Sequence, residues 1–309
     1  MASSTGSTHN QDSESAHDSR KPALGTAAAI AIVFIWSSWL IVTKVGAEST
    51  LTIFDIAALR FGLSALVSLP FVIYYKPWKG MPIHRIAVMA LLAGIPYVLV
   101  SYTAFTFAPA AYGGVFMNGV MPAMTLALGW RWLKERPRSS QLAGAALIVA
   151  GASLAAIDAR VSAAPGAWIG ALLFLAAALM FSVYMVLNRL WQITAPQILL
   201  AISVVTAIVY VPAWYLFLPS NLAGTATSQI LLQGSFQVLP NLVGFNLLAL
   251  AVRNAGASPT AAILSAVPAL GAILGLVILG EALGAATWAG IVILSLGILL
   301  TSLRPRRAS

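Results

Sequence analysis

The sequence contains no cysteine and is poor in charge. Without cysteine the chain can form neither disulfides nor thiolate metal sites. Charged residues make up 8% of it, whereas roughly 25% is usual in a soluble domain. Two of the 3 histidines, His9 and His17, lie in a polar amino-terminal segment, where solvated side chains are the expected state. We therefore expect neither a metal nor a cofactor.

Hydrophobic residues make up 60% of the chain. They form runs of about 20 residues, the length that crosses a hydrocarbon core as a helix. In lipid a helix satisfies its own backbone, and the alternating pattern of a membrane barrel is absent. The sequence thus predicts an all-α membrane protein with ten transmembrane helices, at residues 24–44, 53–75, 84–107, 111–133, 139–157, 166–188, 196–218, 228–252, 258–279 and 284–303.

One unit of sequence occurs twice. A shift of 146 residues carries Pro122 onto Pro268, Glu135 onto Glu281 and Gly151 onto Gly297. Of the 30 positions from Pro122 to Gly151, nine are identical at this shift, whereas about two or three identities would follow from the composition alone. The chain is therefore a duplication.

Each copy holds five of the predicted helices, and an odd number makes the second copy cross the membrane in the opposite sense. We predict a disordered cytoplasmic tail at residues 1–22, a first five-helix repeat at 23–160, a second, inverted repeat at 161–303 and a basic cytoplasmic tail at 304–309. Inverted repeats are typical of secondary transporters, whose substrate binds near the midplane between the copies. A duplicated bundle without a transport role is the alternative.

Lysine and arginine give the chain a net charge of +9, which could suggest a nucleic-acid partner. These residues instead stand singly or in small groups at the ends of apolar runs, as membrane orientation predicts. With both termini in the cytoplasm, fourteen of them lie inside and only Lys44 and Arg160 outside, Arg60 being within a helix. We expect the lipid bilayer as the surrounding partner and no nucleic acid.

The segment from Ala108 to Gly151 and its second copy from Ala257 to Gly297 share a further pattern. Each has a proline within its fourth helix, a glutamate after that helix and glycines in the fifth. This pattern resembles the EamA repeat of the drug/metabolite transporter superfamily, and the resemblance covers residues 24–303. One departure is Lys134 before Glu135, where the second copy has Gly280, and we expect it to alter the local turn.

The whole chain resembles bacterial aromatic amino-acid exporters of the YddG type. That resemblance implies a multi-pass protein of the bacterial inner membrane, both termini cytoplasmic, and export of amino acids such as Phe, Trp, Tyr and Met. Exporters of other metabolites or drugs share these repeats, so that alternative stays open. An enzyme is not expected, since the sequence has no HExxH motif, no cysteine nucleophile and no midplane His or carboxylate pair. The oligomeric state is open, and a monomer is compatible with the sequence.

Polar and aromatic residues within the helices are candidates for a substrate cavity, because polar groups at midplane depth face a bundle interior or water. Gln233, Gln237 and Asn241 form one stripe at four-residue spacing. Interhelical hydrogen bonding is the alternative role of such a stripe. The predicted cavity residues are Trp36, Ser37, Trp39, Tyr97, Tyr102, Met117, Asn118, Met121, Phe181, Tyr184, Gln237, Asn241 and Phe245.

A second group is predicted to act as gate or hinge residues: Arg60, Pro96, Pro122, Glu135, Pro240, Pro268 and Glu281. The prolines remove helix hydrogen bonds at paired places in the two copies, and they are either hinges or static kinks. Arg60 either pairs across helices or binds a substrate carboxylate. Because the carboxylates outside the tail fall near helix ends, we expect facilitated export down the substrate gradient.

Overall fold

The computed structural model describes residues 8–161 and 166–303, without the side chains of residues 8–20, 161, 241 and 245. It confirms ten helices long and apolar enough to span a membrane: α1 Lys21–Ala47, α2 Ile53–Tyr75, α3 Ile83–Phe107, α4 Ala110–Leu133, α5 Ser139–Arg160, α6 Ala167–Leu190, α7 Ala195–Phe217, α8 Thr227–Ala255, α9 Ala257–Leu279 and α10 Ala285–Ser302. The bounds agree with the predicted spans to within about three residues, because in lipid apolar length alone fixes a helix. The described residues contain no strand.

The amino-terminal tail was expected to be disordered over residues 1–22. Helix is assigned there from Thr8 onward, continuous with α1. Residues 1–7 and the basic tail at 304–309 lie outside the described residues, and no side chain before Lys21 is described. The disorder of the tail therefore stays a prediction.

Because the chain crosses the bundle ten times, an even number, its first and last helices begin and end at the same face. We call the face where α1 begins and α10 ends the terminal face, and the face where α1 ends the far face. Each repeat contributes five helices, so α1 to α5 and α6 to α10 cross in opposite senses. The inverted repeat expected from the sequence is thus the architecture of the fold.

Four repeated glycines hold α5 and α10 together. A Cβ on Gly144 would lie 2.6 Å from the Gly297 carbonyl oxygen, and one on Gly151 would lie 2.4 Å from that of Gly290. The duplication places Gly144 equivalent to Gly290 and Gly151 equivalent to Gly297, so each glycine packs against the other copy. Two helices packed in this way are related by a two-fold axis between them, and small residues let their backbones touch.

Each of the four paired prolines lies at an interruption of its helix. Regular helix restarts next to Pro96, Pro122 and Pro268, which occupy the first turns of the segments that follow. Pro240 begins a π-helical turn, Pro240–Gly244. A missing N–H and a fixed φ make proline compatible with a helix start and incompatible with a helix interior. The paired interruptions are present, and their role as hinges stays a prediction.

Candidate functional site

A buried polar cluster lies in the half of the bundle nearer the far face. The Gln237 Oε1 of α8 accepts hydrogen bonds from Trp39 Nε1 of α1 at 2.8 Å and from the Tyr102 hydroxyl of α3 at 2.6 Å. Its Nε2 donates to Thr43 Oγ1 at 3.2 Å and to Gln233 Oε1 at 3.1 Å. All five side chains are buried. Gln237 therefore joins α1, α3 and α8 through both ends of its amide.

Arg60 of α2 lies next to this cluster and is also buried. Its guanidinium acts electrostatically on the hydroxyls of Tyr97 and Tyr102 and is within hydrogen-bonding reach of the latter. The positive charge thus faces α3 inside the bundle. Of the two predicted roles, contact across helices is present, and binding of a substrate carboxylate stays a prediction.

Aromatic rings continue from this charge toward α6. The ring centroids of Tyr97 and Phe181 are 5.2 Å apart, and those of Phe181 and Tyr184 are 5.1 Å apart. The Tyr97 hydroxyl points at the sulfur of Met117, 3.8 Å away. The structure therefore brings these four predicted residues together in one apolar wall with a polarizable thioether.

Two serines make the same hydrogen bond in the two repeats. Ser37 Oγ of α1 donates to the Val267 carbonyl at 3.2 Å, and Ser182 Oγ of α6 donates to the Met121 carbonyl at 3.4 Å. Each acceptor immediately precedes the proline of a fourth helix. The serines thus bind the interrupted backbone of α4 and α9, a contact that is common to both halves.

The remaining predicted cavity residues are less enclosed. Trp36 is half-buried, and its Nε1 would be 2.8 Å from a Cβ on Gly244, so α1 and α8 meet there closely. Asn118 and Met121 on α4 are also half-buried. The side chains of Asn241 and Phe245 lie outside the described part of the chain, and their predicted role is not tested.

At the far face, Glu281 closes the gap between α9 and α4. Its two carboxylate oxygens accept the Ala110 N–H, at 2.8 and 2.9 Å, where α4 begins. Burial raises the pKa of Glu281, and the N–H of Ala110 and the charge of Lys44 oppose this. Lys44 is buried, donates to the Phe105 carbonyl at 2.9 Å and pairs with Glu48 at 2.7 Å. A cavity of about 190 Å³ lies beside these residues.

At the terminal face, the equivalent residues are exposed. Glu135 forms an ion pair with both terminal nitrogens of Arg189. The two side chains are 51% and 55% exposed, which indicates a contact in water. A cavity of about 320 Å³ opens beside Arg189, lined also by Asn188, Gln192 and Ile193. The equivalent residues are thus enclosed at the far face and exposed at the terminal face.

The turn before each glutamate differs in sequence but not in shape. Lys134 has φ 59° and ψ 22°, and Gly280 has φ 68° and ψ 20°. The expected alteration of the turn at Lys134 is wrong. The left-handed conformation that ends α4 is required by the helix cap, and the lysine adopts it despite the steric strain on its Cβ.

Two carboxylates at the far face have structural partners that the sequence did not reveal. Asp55, at the start of α2, accepts hydrogen bonds from Trp214 Nε1, Ser220 Oγ and the Asn221 N–H. It also accepts from the N–H and hydroxyl of Thr52. Asp158, near the end of α5, accepts the Thr287 N–H of α10 at 2.8 Å. Both carboxylates therefore bind neighbouring segments to the ends of their helices through hydrogen bonds.

Sequence reasoning also missed Thr43, Lys44 and Arg189 as members of the site. The equivalence of Lys44 to Arg189, at a shift of 145 residues, was a usable signal, because each cation lies near the glutamate of its own face. Thr43 gave no signal, since a threonine in an apolar helix usually bonds its own backbone.

Known proteins resemble the chain over nearly its whole length. The EamA-like transporter family matches it twice, at residues 23–157 and 168–303. An uncharacterized transporter, YwfM of Bacillus subtilis (strain 168), is 26% identical over 284 residues, which are 89% of this chain and 92% of that one. A protein of known crystal structure is 21% identical to this chain. The match covers 93% of this chain and 99% of that chain, with a TM-score of 0.61. The two family matches coincide with the two five-helix repeats.

Proposed function

Because the chain belongs to the EamA-like transporter family, within the drug/metabolite transporter superfamily, we propose that it exports amino acids across the bacterial inner membrane. Its substrates are aromatic amino acids and bulky apolar ones such as methionine. The observation that carries this proposal is the buried Arg60 between a polar cluster and an aromatic wall. These are the three chemical environments that an apolar amino acid requires.

The two ends of the proposed substrate match the two sides of the site. A carboxylate is attracted to the guanidinium of Arg60, and the neighbouring tyrosine hydroxyls can donate to it. Ring faces and the Met117 thioether suit an aromatic or methionine side chain, because both are large, apolar and polarizable. Neutral amide and hydroxyl oxygens, such as Gln237 Oε1 and Thr43 Oγ1, suit an ammonium group without fixing it by a second full charge.

Alternating access between the faces is the proposed mode of transport. The enclosed Glu281 and Lys44 at the far face and the exposed Glu135 and Arg189 at the terminal face support it, since a transporter of this type closes one mouth while the other is open. The distribution of lysine and arginine supports a cytoplasmic terminal face. In this orientation the exposed Glu135 and Arg189 face the cytoplasm, the side from which an exporter takes its substrate.

The carboxylates support facilitated export. Asp55, Asp158 and Glu281 accept backbone or side-chain hydrogen bonds at helix ends, and Glu135 pairs with Arg189. None of these four lies in the polar cluster, where a proton would have to alternate between the two mouths. A pH gradient that drives accumulation of substrate against its own gradient in proteoliposomes would contradict this part of the proposal.

Counterflow in proteoliposomes tests the substrate. We expect labelled Phe to exchange with unlabelled Phe, Trp, Tyr and Met, and much less with Asp or Lys. Arg60→Gln should lower this exchange at least tenfold, the scale of a lost charge-assisted hydrogen bond. Arg136→Gln, an exposed matched control, should leave it unchanged. Exchange of another metabolite or drug, with no amino acid competing, would replace the proposed substrate class.

A further inference from the structure

We call the two ends of the bundle, at the far face and at the terminal face, its far mouth and its terminal mouth. They contain equivalent residues that differ in burial and in hydrogen bonding. A shift of 146 residues carries Glu135 onto Glu281 and Ala111 onto Ala257. Both carboxylate oxygens of Glu281 accept the Ala110 N–H in the first turn of α4. Among the described residues, the hydrogen bonds of the Glu135 carboxylate go to Arg189 and not to the first turn of α9. The two glutamates therefore have equivalent positions in the sequence but differ in whether they bind a helix start of the other repeat.

Both glutamates are already placed over their own fourth helix. A Cβ on Gly275 would lie 2.7 Å from Glu281 Oε2, and one on the equivalent Gly129 would lie 3.4 Å from Glu135 Oε2. The matching turns at Gly280 and Lys134 give the two carboxylates the same direction relative to the helix. Glu135 thus has the geometry of a helix cap, and only the helix start that it would cap is out of reach.

The cations differ in the same way. Lys44 is 8% exposed and held between the far ends of α1 and α3, whereas the Arg189 side chain is 55% exposed. Ala111 is fully buried, and its equivalent Ala257 is exposed. In contrast, Ser37 and Ser182 make equivalent hydrogen bonds in the two halves, so this interior contact does not differ between the repeats.

We propose that Glu281 and Glu135 are alternately engaged helix caps that lock the two mouths in turn. In the state described here Glu281 caps α4 and locks the far face. In the opposite state Glu281 releases α4, while Glu135 accepts the N–H groups at the start of α9 and Arg189 becomes buried beside it as Lys44 is now. This proposal rests on alternating access, and it assigns Glu135 a function that its exposed ion pair does not suggest.

Labelling of single cysteines tests the exchange, since the natural chain has no cysteine. Ala111→Cys reports the far mouth and Ala257→Cys the terminal mouth, each through its reaction rate with a maleimide in purified protein without substrate. Relative to these parents, Glu281→Ala should raise the rate at position 111 and lower it at position 257. Glu135→Ala should do the reverse. Each change in the ratio of rates should be about fivefold, the effect of losing one helix cap.

Glu135→Ala is the decisive variant, because the residue is exposed here and its loss should leave folding intact. Glu281→Gln keeps one acceptor oxygen and should shift the ratio less than Glu281→Ala. An unchanged ratio in Glu135→Ala, or a shift in the same direction as in Glu281→Ala, would overturn the proposal. Since no substrate is present, the result is independent of what the protein transports; loss of amino-acid flux with the expected labelling would contradict only the substrate.

Discussion

Both the oxygen and the nitrogen of the Gln237 side-chain amide are hydrogen-bonded inside the bundle. Two donors, Trp39 Nε1 and the Tyr102 hydroxyl, share its oxygen, and its nitrogen supplies Thr43 and Gln233. Such a network is costly to break in a low-dielectric interior, because the partners that remain cannot turn to water. A substrate that contacts Gln237 must therefore displace one of these bonds.

Replacement of Gln237 by leucine tests this network. Gln237→Leu leaves the indole and phenol donors buried without an acceptor, and each such group costs about 1–3 kcal/mol. We expect the free energy of unfolding in detergent to fall by about 2 kcal/mol or more. Adding Tyr102→Phe should recover about 1 kcal/mol, since it removes one of the stranded donors.

The matched control for this substitution is Ser235→Ala. Ser235 is exposed on the same helix, and its hydroxyl bonds only carbonyls of its own turn. We expect a change within about 0.5 kcal/mol. An equal fall in the free energy of unfolding for Ser235→Ala and Gln237→Leu would show that any substitution destabilises α8. The hydrogen bonds of Gln237 would then not be the cause.

Glu281 makes stability depend on pH in a defined direction. Its pKa is raised by burial above the ordinary 4.5, despite the opposing Ala110 N–H and Lys44. A group with a raised pKa in the folded state contributes its full stability below the unfolded pKa and loses it as the pH rises through the folded value. The melting temperature of the wild type minus that of Glu281→Gln should therefore fall as the pH rises from about 4.5 to 7.

Lys44 and Glu48 are present in both proteins, so their own titration contributes equally to the two melting temperatures, whereas their interaction with the Glu281 charge remains part of the difference. A difference that instead grows with pH would mean that the α4 N–H groups and Lys44 outweigh the cost of burial. That outcome would reverse the assigned direction of the pKa.

At the scale of helices, α5 and α10 show why glycine recurs in both fifth helices. Their backbones touch at two glycine pairs, so a side chain at any of the four positions meets main-chain atoms that cannot move aside. Membrane helices gain no hydrophobic free energy from leaving lipid for one another, and close packing is what holds them.

The prediction at this scale is a steric one. A Cβ on Gly151 would lie 2.4 Å from the Gly290 carbonyl oxygen, whereas one on Gly62 of α2 would meet only Val211 Cγ2, at 4.0 Å. Gly151→Ala should lower the free energy of unfolding by about 1–3 kcal/mol through overpacking. Gly62→Ala should be neutral or stabilise by up to about 1 kcal/mol. Thermal unfolding in one detergent compares them, and equal effects would refute the close contact.

For the whole molecule, the uneven distribution of lysine and arginine predicts the orientation. The positive-inside rule places the terminal face in the cytoplasm, with the α2–α3 loop inside and the α7–α8 loop outside. An impermeant maleimide applied to spheroplasts should label Ala223→Cys directly and Lys79→Cys only after permeabilisation. Both positions are exposed. The reverse pattern would invert the orientation and the proposed direction of transport.

The sequence by itself determined the number of helices, their limits, the duplication and the family. These follow from properties that are local or periodic along the chain: apolar length sets each span, and an odd number of helices per copy inverts the second. Proline positions likewise marked the interruptions in α3, α4, α8 and α9, because a missing N–H acts within its own helix.

Only the tertiary structure decided which polar groups meet and which mouth is closed. Gln237 pairs with residues 198 and 135 positions away along the chain, and such contacts depend on how each helix is rotated against its neighbours. The two repeats place equivalent residues at the two mouths, so the sequence alone does not reveal which of Glu281 and Glu135 is enclosed and which is exposed. The difference arises because a bundle that packs one mouth shut, with the carboxylate capping a helix, must separate the equivalent groups at the other.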